Sequence, residues 1–330
     1  MRSNQADKAL IQYEAGQDLV DMQQMTDSGD HTTFSITDVP WSNKSGFEPD
    51  IRPDGLLTGG VISASTSNDK VAITDLTCYI GGSLVSVTSI AEQDVDRSEE
   101  YTPGEDCIIN SITVTSLGAI AVLQGLEGSS FSTTRGAAGG PPLIPTTSIE
   151  IGWVRLNSTT PAVVESSEIL QIPGTTCEKS AFPVYDIDYA AGEVEFISAL
   201  PLIHTGSVPK GVYVEVYTPI FASADPASDF TPAANSHSQN SVQVYNGTLG
   251  SSSSSLGQAA FNVYLKDGIT DHIISLQDET IWVKFFPNRL RSPYSLTNGK
   301  LGIAVTYPPG DNIQGACTLT PTQKTENYEE

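Results

Sequence analysis

The chain has 330 residues, 39 Asp and Glu against 16 Lys and Arg, and a formal net charge of -23 at pH 7. Such an excess of acid opposes tight binding to nucleic acid, which draws its energy from Lys and Arg displacing counterions from phosphates. The length exceeds one ordinary hydrophobic core, so two domains are the expectation, and a hydrophobic content of 38% is adequate to pack them.

Taken in chain order, residues 1 to 55 read differently from the rest. Leu10, Ile11, Leu19, Val20, Met22 and Met25 have a weakly helical spacing that Gly16 interrupts. A turn cluster follows at Thr26-Asp27-Ser28-Gly29-Asp30, and then Trp41 and Phe47 lie among prolines without any period. The expectation is an extended N-terminal arm over 1–55 that needs a surface to lie on. The opening stretch lacks the apolar core of a signal peptide, and no later run is long enough to span a membrane, so the chain is expected to be soluble and made in the cytoplasm.

From Gly60 the period changes to two. The runs 71–74, 76–80 and 84–87 read as strands, and Gly81-Gly82 between the last two supplies the positive φ angles of a tight hairpin. Further strands are expected at 108–115, 119–126 and 149–156, with a second hairpin turn at 116–118. The stretch 129–145, rich in Gly and Pro, reads as a long mobile surface loop. A boundary near 166–173 closes a β domain over 56–172 and opens another over 173–330. The latter has expected strands at 184–189, 194–198, 212–217, 241–245, 261–265, 281–286, 301–307 and 316–319. Polar loops are expected at 222–238 and 251–255, a short helical turn near 269–276, and a frayed tail over 322–330. The predicted fold class is therefore all-β, two β domains preceded by an arm.

Residues suited to chemistry are sparse. There is no G-x-S-x-G, H-E-x-x-H, Walker or dinucleotide motif. His31, His204, His237 and His272 sit in turn-like contexts and read as exposed loop residues. Cys78, Cys107, Cys177 and Cys317 lie far apart with no CxxC, which points to free core thiols, with a disulfide as the alternative. The pairs Asp94/Asp96 and Asp186/Asp188 and the Asp27–Asp30 turn match no calcium loop and read as solvated faces. Sequons at Asn43, Asn157 and Asn246 carry no weight without secretion. No catalytic, cofactor-binding or metal-ligating residue is expected, and the chain is expected not to be an enzyme.

The runs GITDHIISLQDETIWVKFFPN and GKLGIAVTYPPGDNIQGACTLTPT resemble the C-terminal part of major tail tube proteins of long-tailed bacteriophages. The stretches QYEAGQDLVDMQQMTDSGDHTTF, SGFEPDIRPDGLLTGGV and FPVYDIDYAAGEVEFISALPLIHTGSVPKGVYVEVYTPIF look like the same family, particularly the proteins of flagellum-seeking siphophages. The resemblance implies a tube-forming β-sandwich, hexameric rings stacked into a hollow tube in the virion tail, assembly in the host cytoplasm, contacts with other tail proteins, and passage of DNA without specific binding. The pattern GGV…KVAITDLTCYIGGSLVSV also looks like modules of tail fibres and baseplates, so a fibre, baseplate or receptor-binding component is the alternative. A polysaccharide-cleaving enzyme is the third class.

Overall fold

The computed structural model describes residues 8–37, 39–99, 104–245 and 247–329. It is all-β, as expected, with 52% of residues in strands and 2% in helix. The chain forms two compact units, and neither is a continuous segment. One gathers Met1–Leu19, Pro40–Pro49 and Val216–Glu330, and the other Val20–Val39 and Asp50–Glu215.

In the first unit the sheet order is Ala227–Thr231, Ala259–Tyr264, Gln314–Pro321, Tyr294–Thr306, Thr280–Phe286, Leu10–Gln24 and Val212–Ser223. Strict alternation places Phe261 and Val263 of one strand, and Cys317 and Leu319 of its neighbour, in a common core with Ile281, Val283 and Leu301. The short helix His272–Ser275 contributes Ile273 to that core.

The first unit overturns the expected arm. Leu10–Gln24 is a 15-residue strand whose Leu10–Tyr13 pairs antiparallel with Val283–Phe286. Ile11 and Tyr13 alternate inward, so the helix-like spacing yields to the neighbouring strand. Trp41, expected to lie on a foreign surface, is fully buried in its own chain. Three loop expectations are also corrected. Ala227–Thr231 is a strand, the serine run lies in Gly247–Leu256, which pairs with Asn235–Val244, and Glu326–Tyr328 of the tail pairs with Tyr294–Leu296.

The second unit holds several small antiparallel sheets around a core that includes Val71, Ile73, Cys78, Ile108, Ile112, Ile149 and Leu156. The hairpin Leu76–Ile80/Ser83–Val87 turns at Gly81 and Gly82 with φ of 63° and 72°, as predicted. The expected boundary near 166–173 falls inside this unit. There Ile169–Leu170 pairs with Trp153 and Val154, and the Gln171 amide donates to the carbonyls of Gly60 and Ile151. The same side chain accepts from the Ile62 amide, so the segment is stitched to earlier strands from both sides.

Candidate functional site

The second unit contains a buried polar network, built on an irregularity in the strand Ser148–Leu156. Its register with Ile108–Thr115 slips between Ile112 and Thr113, whose partners are Gly152 and Glu150, leaving Ile151 as an extra residue. The bulge keeps Ile149, Ile151, Val154 and Leu156 in the apolar core. Glu150 is turned instead toward the 129–145 loop, where Arg135 pairs with its carboxylate, donates to the Pro142 carbonyl at 2.7 Å and lies over the Trp153 ring at 5.5 Å. That loop is pinned to the sheet by a buried charge pair.

Glu150 leads to Glu178. Their main chains and side chains interlock, with the Glu178 amide donating to the Glu150 carbonyl at 2.7 Å and the Glu150 amide donating to Glu178 Oε2 at 2.8 Å. The other oxygen, Oε1, faces His204 Nε2 at 3.1 Å, while His204 Nδ1 faces the Pro145 carbonyl at 3.2 Å. Nearby, the Lys210 ammonium donates to the carbonyls of Lys179 and Phe182 at 2.7 and 2.8 Å. Asp54 accepts from the Gly81 amide at 2.8 Å.

Burial governs the proton affinities. It pushes the Asp54 carboxyl up to about 7, with Glu178 adding to the effect, and lowers the Lys210 ammonium to about 8 against the pull of Glu178 and Asp54. Burial also raises Glu150, although Arg135 opposes it. For His204, burial disfavours the charged ring, but the hydrogen bond and charge of Glu178 outweigh it and raise the imidazole above its ordinary value.

This arrangement ties segments together and offers no activated nucleophile. Burial pushes the neighbouring Cys177 thiol up to about 11, so it stays protonated at neutral pH. Both His204 nitrogens are engaged. The cavity beside Glu150, Glu178, Cys177 and Lys210 is about 20 Å3, room for a water molecule.

A second buried carboxylate organises the first unit. Glu14 accepts from Gln17 Nε2 at 2.8 Å, Ser42 Oγ at 2.6 Å and the Trp282 amide at 3.0 Å. The Trp282 indole donates to the Trp41 carbonyl at 2.7 Å, and Asn43 and Asn298 exchange side-chain hydrogen bonds. Segment 40–49 is thereby sewn to the sheet. Outside that sheet, Asn235–Val244 and Gly247–Leu256 form a two-stranded ribbon with ten paired positions and, among the described residues, no third strand.

Of the histidines, His204 departs from expectation, being 2% exposed. His31 lies in a turn at φ 61° with Nδ1 at 2.6 Å from Asp27, His237 stands in the ribbon opposite Ser254, and His272 opens the short helix with its ring stacked on Tyr13. The four cysteines are free and buried, as expected. Asp94, Asp96, Asp186 and Asp188 are exposed, and Asp27 and Asp30 bind amides of their own turn. No group of three or more metal-binding side chains occurs among the described residues. The sequon at Asn246 lies outside them. Asn43 is engaged with Asn298. The network's one legible signal was Glu150 inside the apolar run Ile149-Glu150-Ile151, which demanded a buried partner.

No known protein family, curated protein or solved structure matches the chain.

Proposed function

We propose that this chain is the structural subunit of a bacteriophage tail tube, six copies forming a ring and rings stacking into the hollow conduit through which DNA leaves the virion. The observation that carries this reading is the ribbon Asn235–Val244/Gly247–Leu256. A two-stranded ribbon is at best marginally stable in water and needs a further strand or a packed face. From Phe230 to Leu265 there is no Asp, Glu, Lys or Arg, in a chain of net charge -23. An uncharged ribbon is the part of so acidic a molecule that lies against another copy with least repulsion. Its exposed hydroxyl pairs, Ser236 with Ser255 at 2.8 Å and Ser238 with Ser253 at 2.7 Å, present donors and acceptors to such a neighbour.

Head-to-tail contacts that close generate rings, and sheet edges left open in one copy are satisfied by the next. The remaining partners are other tail proteins at the tube ends, and the passing genome, which acidic walls repel rather than bind. Assembly takes place in the host cytoplasm and needs no cofactor or catalytic residue.

Electron microscopy of concentrated protein in chelator tests the reading, using the full chain and a variant with residues 236–255 replaced by a short Gly-Ser turn. The full chain forms hollow filaments, more readily as salt shortens the screening length from about 10 Å at 0.1 M to about 3 Å at 1 M. The variant unfolds cooperatively but stays monomeric. A full chain monomeric under all conditions, or a variant that assembles equally well, removes the proposal. Binding of monomers to cells or glycans favours the fibre or receptor-binding alternative instead.

A further inference from the structure

The surroundings of His204 hold one proton more than a neutral imidazole and a carboxylate supply. Nδ1 faces the Pro145 carbonyl at 3.2 Å, and Nε2 faces Glu178 Oε1 at 3.1 Å. A carbonyl oxygen only accepts, and an ionised carboxylate only accepts. A neutral imidazole donates from one nitrogen and presents a lone pair at the other. Both contacts are satisfied together only when the ring is an imidazolium or the carboxyl is protonated. The ring side chain is 3% exposed and that of Glu178 9% exposed, so water cannot repair the mismatch cheaply.

The backbone around the ring shows what depends on it. Ile144 and His204 form a parallel bridge, the Ile144 amide donates to the Ile203 carbonyl at 3.1 Å, and the Thr205 amide donates to the Ile144 carbonyl at 2.8 Å. This bridge is isolated, flanked by no regular strand of its own. The imidazole clamps the same junction from the side, joining Pro145 before the strand Ser148–Leu156 to the Glu178 segment.

We propose that the Glu178–His204–Pro145 contact is a proton-dependent latch, which holds segment 201–208 against 143–146 while the shared proton is bound and loosens it when the proton leaves. The charged groups facing the latch are Asp54, Glu150 with its partner Arg135, and Lys210, with the Cys177 thiol beside them. Their signs can be followed one by one. Raised folded-state affinities at His204, Glu150 and Asp54 mean that the folded unit binds more protons, so the stability they contribute is present at low pH and is lost as pH rises. For Asp54 that loss runs from its ordinary 3.8 to about 7, and for His204 it continues above the ordinary 6.5. Lys210 acts oppositely, between about 8 and its ordinary 10.5. The latch is thus closed below the ordinary imidazole value of 6.5 and opens as pH rises through the raised His204 value.

The test follows the His204 ring nitrogens by NMR across pH and measures amide hydrogen exchange over 201–208, corrected for intrinsic rates, in the full chain and in H204Q. In the wild type the imidazole titrates above 6.5, and protection over 201–208 is lost progressively with the same midpoint. In H204Q, whose amide keeps a donating nitrogen and an accepting oxygen at every pH, that step is absent. The fall persists at high salt, because a buried contact is poorly screened, whereas general repulsion among surface acids is not. A midpoint at or below 6.5, protection independent of pH, or an equal fall in H204Q overturns the latch. If H204Q does not fold, the wild-type titration and its coincidence with the exchange midpoint decide alone.

Discussion

Among single residues, the pair Arg135–Glu150 has the highest stake, because Glu150 is fully buried and its partner comes from a loop. A carboxylate left in a low-dielectric interior without its cation is costly, whereas removing both charges leaves nothing uncompensated. Arg135→Met should destabilise the second unit by about 3–5 kcal/mol in denaturant unfolding, and the double variant R135M/E150Q should recover most of that loss. A single variant within about 0.5 kcal/mol of wild type would show that the loop is held by its backbone contacts instead. Glu150 was readable as a problem, standing between two isoleucines, but its solution was not. Arg135 lies among glycines and prolines in a stretch expected to be mobile. His204 was read as exposed because a turn-like neighbourhood carries no trace of the Glu178 and Pro145 that close over it in space.

At the level of elements, local chemistry was legible where it was self-sufficient. Gly81 and Gly82 announced their hairpin because positive φ is a local demand, and a Cβ on Gly82 would stand 3.0 Å from Met22 and 3.1 Å from Tyr213. The strand Leu10–Gln24 was illegible for the opposite reason. Its inward residues Ile11 and Tyr13 acquire meaning only beside Val283 and Phe285, at the far end of the chain. This strand also reverses the behaviour expected of an arm. Deleting residues 1–19 should uncover the side of Thr280–Phe286 to which Leu10–Tyr13 pairs and withdraw Glu14 from Ser42 and Trp282. The first unit should then lose cooperative unfolding while the second keeps it, as followed by fluorescence of the buried Trp282 against Trp153. Two intact transitions after the deletion would restore the idea of a dispensable arm.

For the whole molecule, the all-β class was legible from composition and punctuation, whereas the division into units was not, because neither unit is a continuous segment of chain. A linear reading looks for a linker, and here two of the four crossing points lie inside the long strands Leu10–Gln24 and Val212–Ser223, each of which has residues in both units, while the other two flank Pro40–Pro49. That layout has a consequence for the order of events on the ribosome. Residues 50–215 leave the exit tunnel as one run and can fold at once, but Leu10–Tyr13 must wait for Val283–Phe286, a delay of some tens of seconds at about 5–20 residues per second. The uncharged ribbon at 235–256 emerges only shortly before that partner. Synthesis itself thus acts as a clock, withholding a finished first unit until Val283–Phe286 has emerged. Nascent chains arrested before Thr280 has cleared the tunnel should show a protease-resistant second unit and a degradable first one. Resistance of both at that length would mean that the early strand finds a substitute partner and the clock does not exist.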